Sequence, residues 1–203
     1  MPEPFRFLRR SLTRSQPAPN KPGRGAFIDG AGVMVLLTEV IKLTLFPAMM
    51  AFAASSDLFT MTIANRVSLI LVAGFGLLAV LVGMSAADLL SHAGAAAAVL
   101  AVVFLLFTRG WIGGGDAKLA AATVLWFGFA HLADYLVYAS LLGGVLTVAI
   151  MQFRTMPLPR LFVGHEWAER LHRIDGGVPY GIALAAAALL VYPHTEWMAV
   201  ITR

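Results

Sequence analysis

LLSHAGAAAAVLAVVFLLF, residues 89–107, runs for nineteen positions without a charged side chain. A helix of that length rises about 28 Å, close to the roughly 30 Å hydrocarbon thickness of a bilayer. In lipid a backbone must satisfy its own N–H and C=O groups, which a helix does within one segment. A strand of a membrane barrel would instead alternate apolar and polar residues over about ten positions. The unbroken run therefore predicts a membrane-spanning helix.

Working outward, further apolar runs flank it. Residues 33–54 are interrupted only by Glu39 and Lys42, and residues 67–84 carry no charge. Residues 117–133 and 135–151 are separated by little more than HLAD, and a last run extends from about Val178 to Val191. The pattern predicts an all-α, polytopic membrane protein with about six transmembrane helices. Composition agrees: 59% of residues are hydrophobic, 13% are charged and the mean hydropathy is +0.80. A soluble domain carries about a quarter charged residues.

Residues 1–32 are polar and rich in Pro, Gly and Arg, and read as a disordered tail. Residues 33–203 then form one helical membrane domain. Its longest loop, 152–177, sets Leu161, Ala168 and Leu171 at near-helical spacing against Arg160, Glu169, Arg170 and Arg173. An interfacial amphipathic helix and an ordinary solvated loop helix both fit. Glu39 and Lys42 read as a pair three residues apart near the interface, with the lysine snorkelling. Trp111, Trp126, Trp167 and Trp197 read as interfacial anchors.

Composition also excludes chemistry. The chain has no cysteine, so it has no disulfide, thiol nucleophile or cysteine-based metal site. Its five histidines lack metal-ligand spacing, and no metal is expected. The net charge of +4 arises mostly in the tail and gives no support for a nucleic-acid partner.

Parity assigns the loops to two sides. Loops 55–66, 108–116 and 152–177 share one, while the N-terminal tail, 85–88, 131–134 and the C-terminus share the other. Basic residues split evenly between them, and weighting those closest to the spans favours the first side as cytoplasmic. The same parity sorts four aspartates into pairs, Asp57 with Asp116 and Asp88 with Asp134. Asp88 and Asp134 read as caps of the helices they precede. Asp116 also opens a span, and spacing alone leaves it a cap. Asp57 follows a span, at the negative end of a helix dipole where a carboxylate is disfavoured, in the polar stretch AASSDLFTMTIANR.

Two carboxylates on one side at a membrane boundary form a candidate site. Brought close, they titrate as a unit that retains one proton. The ionised member can then activate water while the protonated member polarises a peptide carbonyl. Gly113, Gly114 and Gly115 precede Asp116 without side chains, which would let a substrate backbone approach. Alone, they read as a flexible hinge. Lys118 points around the helix axis from Asp116 and need not neutralise the pair.

GGGDAKL, Gly113 to Leu119, resembles the G-x-G-D-x-K motif of the type IV prepilin peptidases, a family of membrane aspartic proteases. SDLFTMTIANRVSL, Ser56 to Leu69, is similar to the family's first aspartate motif, in which I-P-N follows several residues later. VPYGIALA, Val178 to Ala185, resembles the Pro-aromatic-Gly stretch that opens its last helix. The resemblance implies Asp57 and Asp116 as the catalytic pair, with Gly113, Gly115, Lys118, Asn65 and Pro179 as motif residues. It implies a bacterial inner-membrane enzyme that cuts short basic leaders from prepilins on the cytoplasmic side, without a cofactor. No S-adenosylmethionine site is assigned, so methylation is not part of the expectation. The compact length resembles the branch serving tight-adherence (Flp) pili. Two departures stand out. Ala64 occupies the proline position of I-P-N, and the basic tail falls on the outer side.

Overall fold

The computed structural model describes residues 30–199, which are helical with no strand among them. The helices are α1 (Gly30–Thr60), α2 (Asn65–Leu81), α3 (Ala86–Thr108), α4 (Gly114–Phe127), α5 (Leu132–Thr155), α6 (Glu166–His172), α7 (Tyr180–Val191) and α8 (Glu196–Ala199). All six expected apolar helices are present as α1 to α5 and α7. Three of them, α1 from Gly32, α3 and α5, are long and apolar enough to cross a membrane. The disorder expected of the tail falls, but for its last three positions, outside the described residues.

The main correction to the boundaries concerns α1, which continues past residue 54 to Thr60. Asp57 therefore lies in the last turn of a helix and not in a polar loop. The hydroxyls there satisfy themselves locally. Ser55 Oγ donates to the Ala51 carbonyl and Thr60 Oγ1 to the Ser56 carbonyl, so these polar residues continue the helix. Met61 then ends it in the left-handed region, at φ 55°, with its N–H donating 2.8 Å to the Asp57 carbonyl.

The core is built on α4 and α7. Helix α4 packs on α2, α3 and α7, while α7 packs on α1 and α5. Both are alanine-rich and buried nearly all round, through Ala117 and Ala120 to Ala122 on one and Ala183, Ala185, Ala187 and Ala188 on the other. Small side chains let helix backbones approach closely where no hydrophobic drive separates helix from lipid. Trp126 and Trp197 are core residues and not interfacial anchors. Each is buried and donates its indole N–H to a carbonyl, of Leu71 at 3.0 Å and Trp126 at 2.7 Å. Trp111, 72% exposed, remains on the surface.

Parity is reproduced. Val82, Asp88, His131 and Glu196 line one cavity of about 320 Å³, whereas Asp57, Gly110, Asp116 and Gly177 line another of about 790 Å³. The two share no residue. At the first end Ser85, and not Asp88, is the N-cap of α3: its Oγ accepts the Asp88 N–H at 3.2 Å and donates 2.7 Å to the Asp88 carboxylate, which sits in the first turn. Asp134 makes no such cap. Its carboxylate is exposed and faces His131 at 3.8 Å. Lys42 does not snorkel either. It is buried, with its ammonium 2.9 Å from Glu39, and its carbonyl accepts the Tyr192 hydroxyl at 2.7 Å.

The 152–177 loop holds a three-residue 3-10 turn at Arg160–Phe162 and the seven-residue α6. Ala168 is buried, and the Trp167 ring meets Phe59 of α1 edge-on at 5.8 Å. The apolar side of α6 is thus laid against the end of α1, while Leu161 stays 84% exposed.

Ala64, at the proline position, has φ −64° and ψ 137° and stands immediately before α2. That φ is the one proline imposes. Ala64→Pro is therefore expected to raise stability by about 0.4–1 kcal/mol through the unfolded chain. Thermal unfolding in detergent measures it, and a lowered melting temperature would contradict the geometry.

Candidate active site

Asp57 and Asp116 reach the same cavity from opposite chain directions. Asp57 sits in the last turn of α1, and Asp116 in the first turn of α4. They are also the only charged side chains among the residues lining that cavity. Its other walls are Val99, Val103 and Leu106 of α3, Tyr135, Leu136 and Ala139 of α5, and Val178, Tyr180 and Leu184 of the chain entering and forming α7.

A carboxylate at the C-terminal end of a helix is disfavoured by its own dipole, and α7 supplies the compensation. Gly181 lies in the first turn of α7, where backbone N–H groups have no partner within the helix. Its N–H donates 2.7 Å to Asp57 Oδ2. Asp57 is only 4% exposed, so this donor replaces water at that oxygen. A Cβ on Gly181 would stand 2.8 Å from Asp57 Oδ2 and 2.6 Å from Ile63 Cδ1. Asp116 folds back over the start of its own helix, with Oδ2 3.0 Å from the position of a Cβ on Gly113.

The glycines serve mainly the protein's own packing. Gly113 lines the cavity, as a substrate-approach role requires. Gly115 does not. A Cβ there would lie 3.2 Å from Ile63 Cβ and 3.4 Å from the Ile63 backbone nitrogen. Gly115 thus lets α4 begin directly against the 61–64 segment, which is what brings Asp116 toward Asp57. Gly114 faces the Phe107 ring in the same manner, at 3.2 Å.

Lys118 and Asn65, which the sequence left without a role, meet each other. Lys118 Nζ donates 2.8 Å to Asn65 Oδ1. The bond ties the start of α2 to the first turns of α4 and holds the ammonium outside the cavity. Pro179, buried, immediately precedes α7 and aims its first turn at Asp57.

Four contributors escaped sequence reasoning. Gly181 and Tyr180 were visible only as part of VPYGIALA. Tyr180 lays its ring over Gly143 and donates its hydroxyl 3.2 Å to the Ala139 carbonyl. Arg154, at the end of α5, donates to the carbonyls of Leu171 at 2.9 Å and Gly177 at 2.7 Å, holding the chain that leads into α7. Arg170 donates 2.9 Å to the Phe59 carbonyl and caps the end of α1 two residues beyond Asp57. Both arginines bind backbone carbonyls, so no side-chain spacing could announce them.

Comparison with known protein families gives a match. A family model described as the type IV leader peptidase family covers residues 44–148. That span includes both aspartates, Asn65, Gly113, Gly115 and Lys118, and stops before Pro179. No curated protein and no solved structure matches the chain.

Proposed function

Because the chain belongs to the type IV leader peptidase family, we propose that it is an aspartic endopeptidase of the G-x-G-D type whose catalytic pair is Asp57 and Asp116. One observation carries the reading. Two aspartates 59 positions apart in sequence converge in one cavity whose lining holds no other charge. The pair shares one proton. The ionised carboxylate takes a proton from water, the resulting hydroxide attacks the peptide carbonyl carbon, and the protonated carboxyl gives its proton to the carbonyl oxygen. Collapse of the tetrahedral intermediate breaks the C–N bond, and the leaving nitrogen takes up a proton. A carboxylate and an amine result.

The substrates in this reading are prepilins, cut on the cytoplasmic side of a bacterial inner membrane that the chain crosses several times. The lack of the paired cysteines supports the Flp-pilus branch. A transporter would place ionisable groups inside its spans along its substrate path. The pair of buried Lys42 with half-buried Glu39 fits that description, but Lys42 opens on the cavity at the other end of the bundle and not on the one that holds the aspartates.

Co-expression tests the proposal. A leader-bearing pilin precursor is expected to lose its leader in membranes containing this chain, read by mass spectrometry of the pilin. An unchanged precursor mass would overturn it.

A further inference from the structure

Helix α3 is held on one side only. It packs closely on α4 and meets α2 through the Phe75 and His92 rings, 5.4 Å apart at the end far from the two aspartates, while α2 and α5 are not among its closely packed partners. Two open grooves therefore flank it. The α2–α3 groove is floored by Ala121 and Ala122 of α4 and has Leu69 and Val72 on its wall. The α3–α5 groove is the cavity that holds Asp57 and Asp116. Helix α4 is the partition between them. Asp116 and Ala120, four residues apart on one face, line the second groove, and Lys118, Ala121 and Ala122 line the first.

The walls of the α3–α5 groove are stripes at helical spacing. Val99, Val103 and Leu106 stand at i, i+4 and i+7 on α3, and Leu136, Ala139 and Ser140 at i, i+3 and i+4 on α5. The α3 stripe runs about 10 Å along the helix, away from its aspartate end. No charged group lies along it, so a chain held there would leave any charge unpaired in a low-dielectric site. Both helices also expose large apolar residues, among them Val102, Phe104 and Leu105 on α3 and Val137 and Leu141 on α5, the surface that faces lipid.

Resting on the peptidase reading above, we propose that the α3–α5 groove is a lateral docking site for an apolar, membrane-embedded segment of the substrate that adjoins the scissile bond. The segment comes from the bilayer between α3 and α5, and its end lies between the two carboxylates. The α2–α3 groove takes no part, because α4 walls it off from Asp116.

The absence of native cysteine makes the test direct. Single cysteines are placed at Val103 and Leu136 in the proposed groove, and at Leu69 and Val72 in the other. Each full-length variant is co-expressed with a pilin precursor carrying one cysteine within two turns of the cut on its apolar side, and membranes are oxidised. Disulfide adducts are expected with Val103→Cys and Leu136→Cys and not with Leu69→Cys or Val72→Cys. Ser140→Phe, which narrows the same groove, is expected to raise KM about tenfold with kcat changed less than about twofold. Adducts at Leu69→Cys or Val72→Cys, or none anywhere while the precursor is still cut, overturn the docking site. A precursor left uncut by the parent chain overturns the peptidase reading instead.

Discussion

Asp57→Asn and Asp116→Asn are each expected to lower leader removal by on the order of 10³-fold, the loss that follows when a positioned acid or base is removed. Neither change should disturb the fold. An amide at position 57 retains an oxygen that can accept the Gly181 N–H, and Asp116 is only partly buried. The double variant is expected to be no slower than either single one, because residues that act as a unit are not additive. That result separates a carboxylate pair from two independent contributions. Asp88→Asn provides the control. Asp88 belongs to the cap of α3, lines the cavity at the opposite end of the bundle and should leave processing intact. Cleavage of a leader-bearing peptide in detergent, followed by mass spectrometry, reads all four variants. A full rate in either single variant removes that residue from the mechanism.

The pairing of those aspartates was legible in the sequence because it follows from counting spans. Parity requires only that six apolar runs be found, and it does not depend on where each one ends. Span ends themselves were less legible. The stretch SSDLFT reads as polar loop by composition, yet its hydroxyls return to their own helix carbonyls and carry α1 to Thr60. Lys42 shows a related limit. It pairs with Glu39 as its spacing suggests, but its burial, and the bond its carbonyl accepts from Tyr192, 150 residues away, have no local signature. Trp126 and Trp197 mislead in the same way, since an indole N–H with a carbonyl partner sits in a core as readily as at an interface. The role of Lys118 was invisible for a further reason. Its partner Asn65 lies in a separate motif, and only the packing of α2 on α4 joins them.

Gly181→Ala is the second large effect expected, about 10²-fold on kcat, and it tests the geometry without touching a carboxylate. The glycine has no need of a left-handed backbone, so the consequence is steric. A methyl there falls 2.8 Å from Asp57 Oδ2, 3.1 Å from its Cγ and 2.6 Å from Ile63 Cδ1. Two responses are open. The Asp57 carboxylate swings aside and gives up the Gly181 N–H, or α7 draws back from α1. Either moves Asp57 relative to Asp116, and a displacement of about 1 Å at a reacting group costs on the order of 10²-fold. Overpacking of the α1–α7 contact should also lower stability by about 1–3 kcal/mol. Gly144→Ala separates the two consequences of adding a methyl. It lies inside α5 with nothing within 4 Å of the added carbon, so activity should hold while stability rises by about 0.5–1 kcal/mol. Steady-state kinetics with thermal unfolding of both variants gives the answer. If Gly181→Ala cleaves at the parent rate, the contact between α7 and Asp57 does not position the reacting pair.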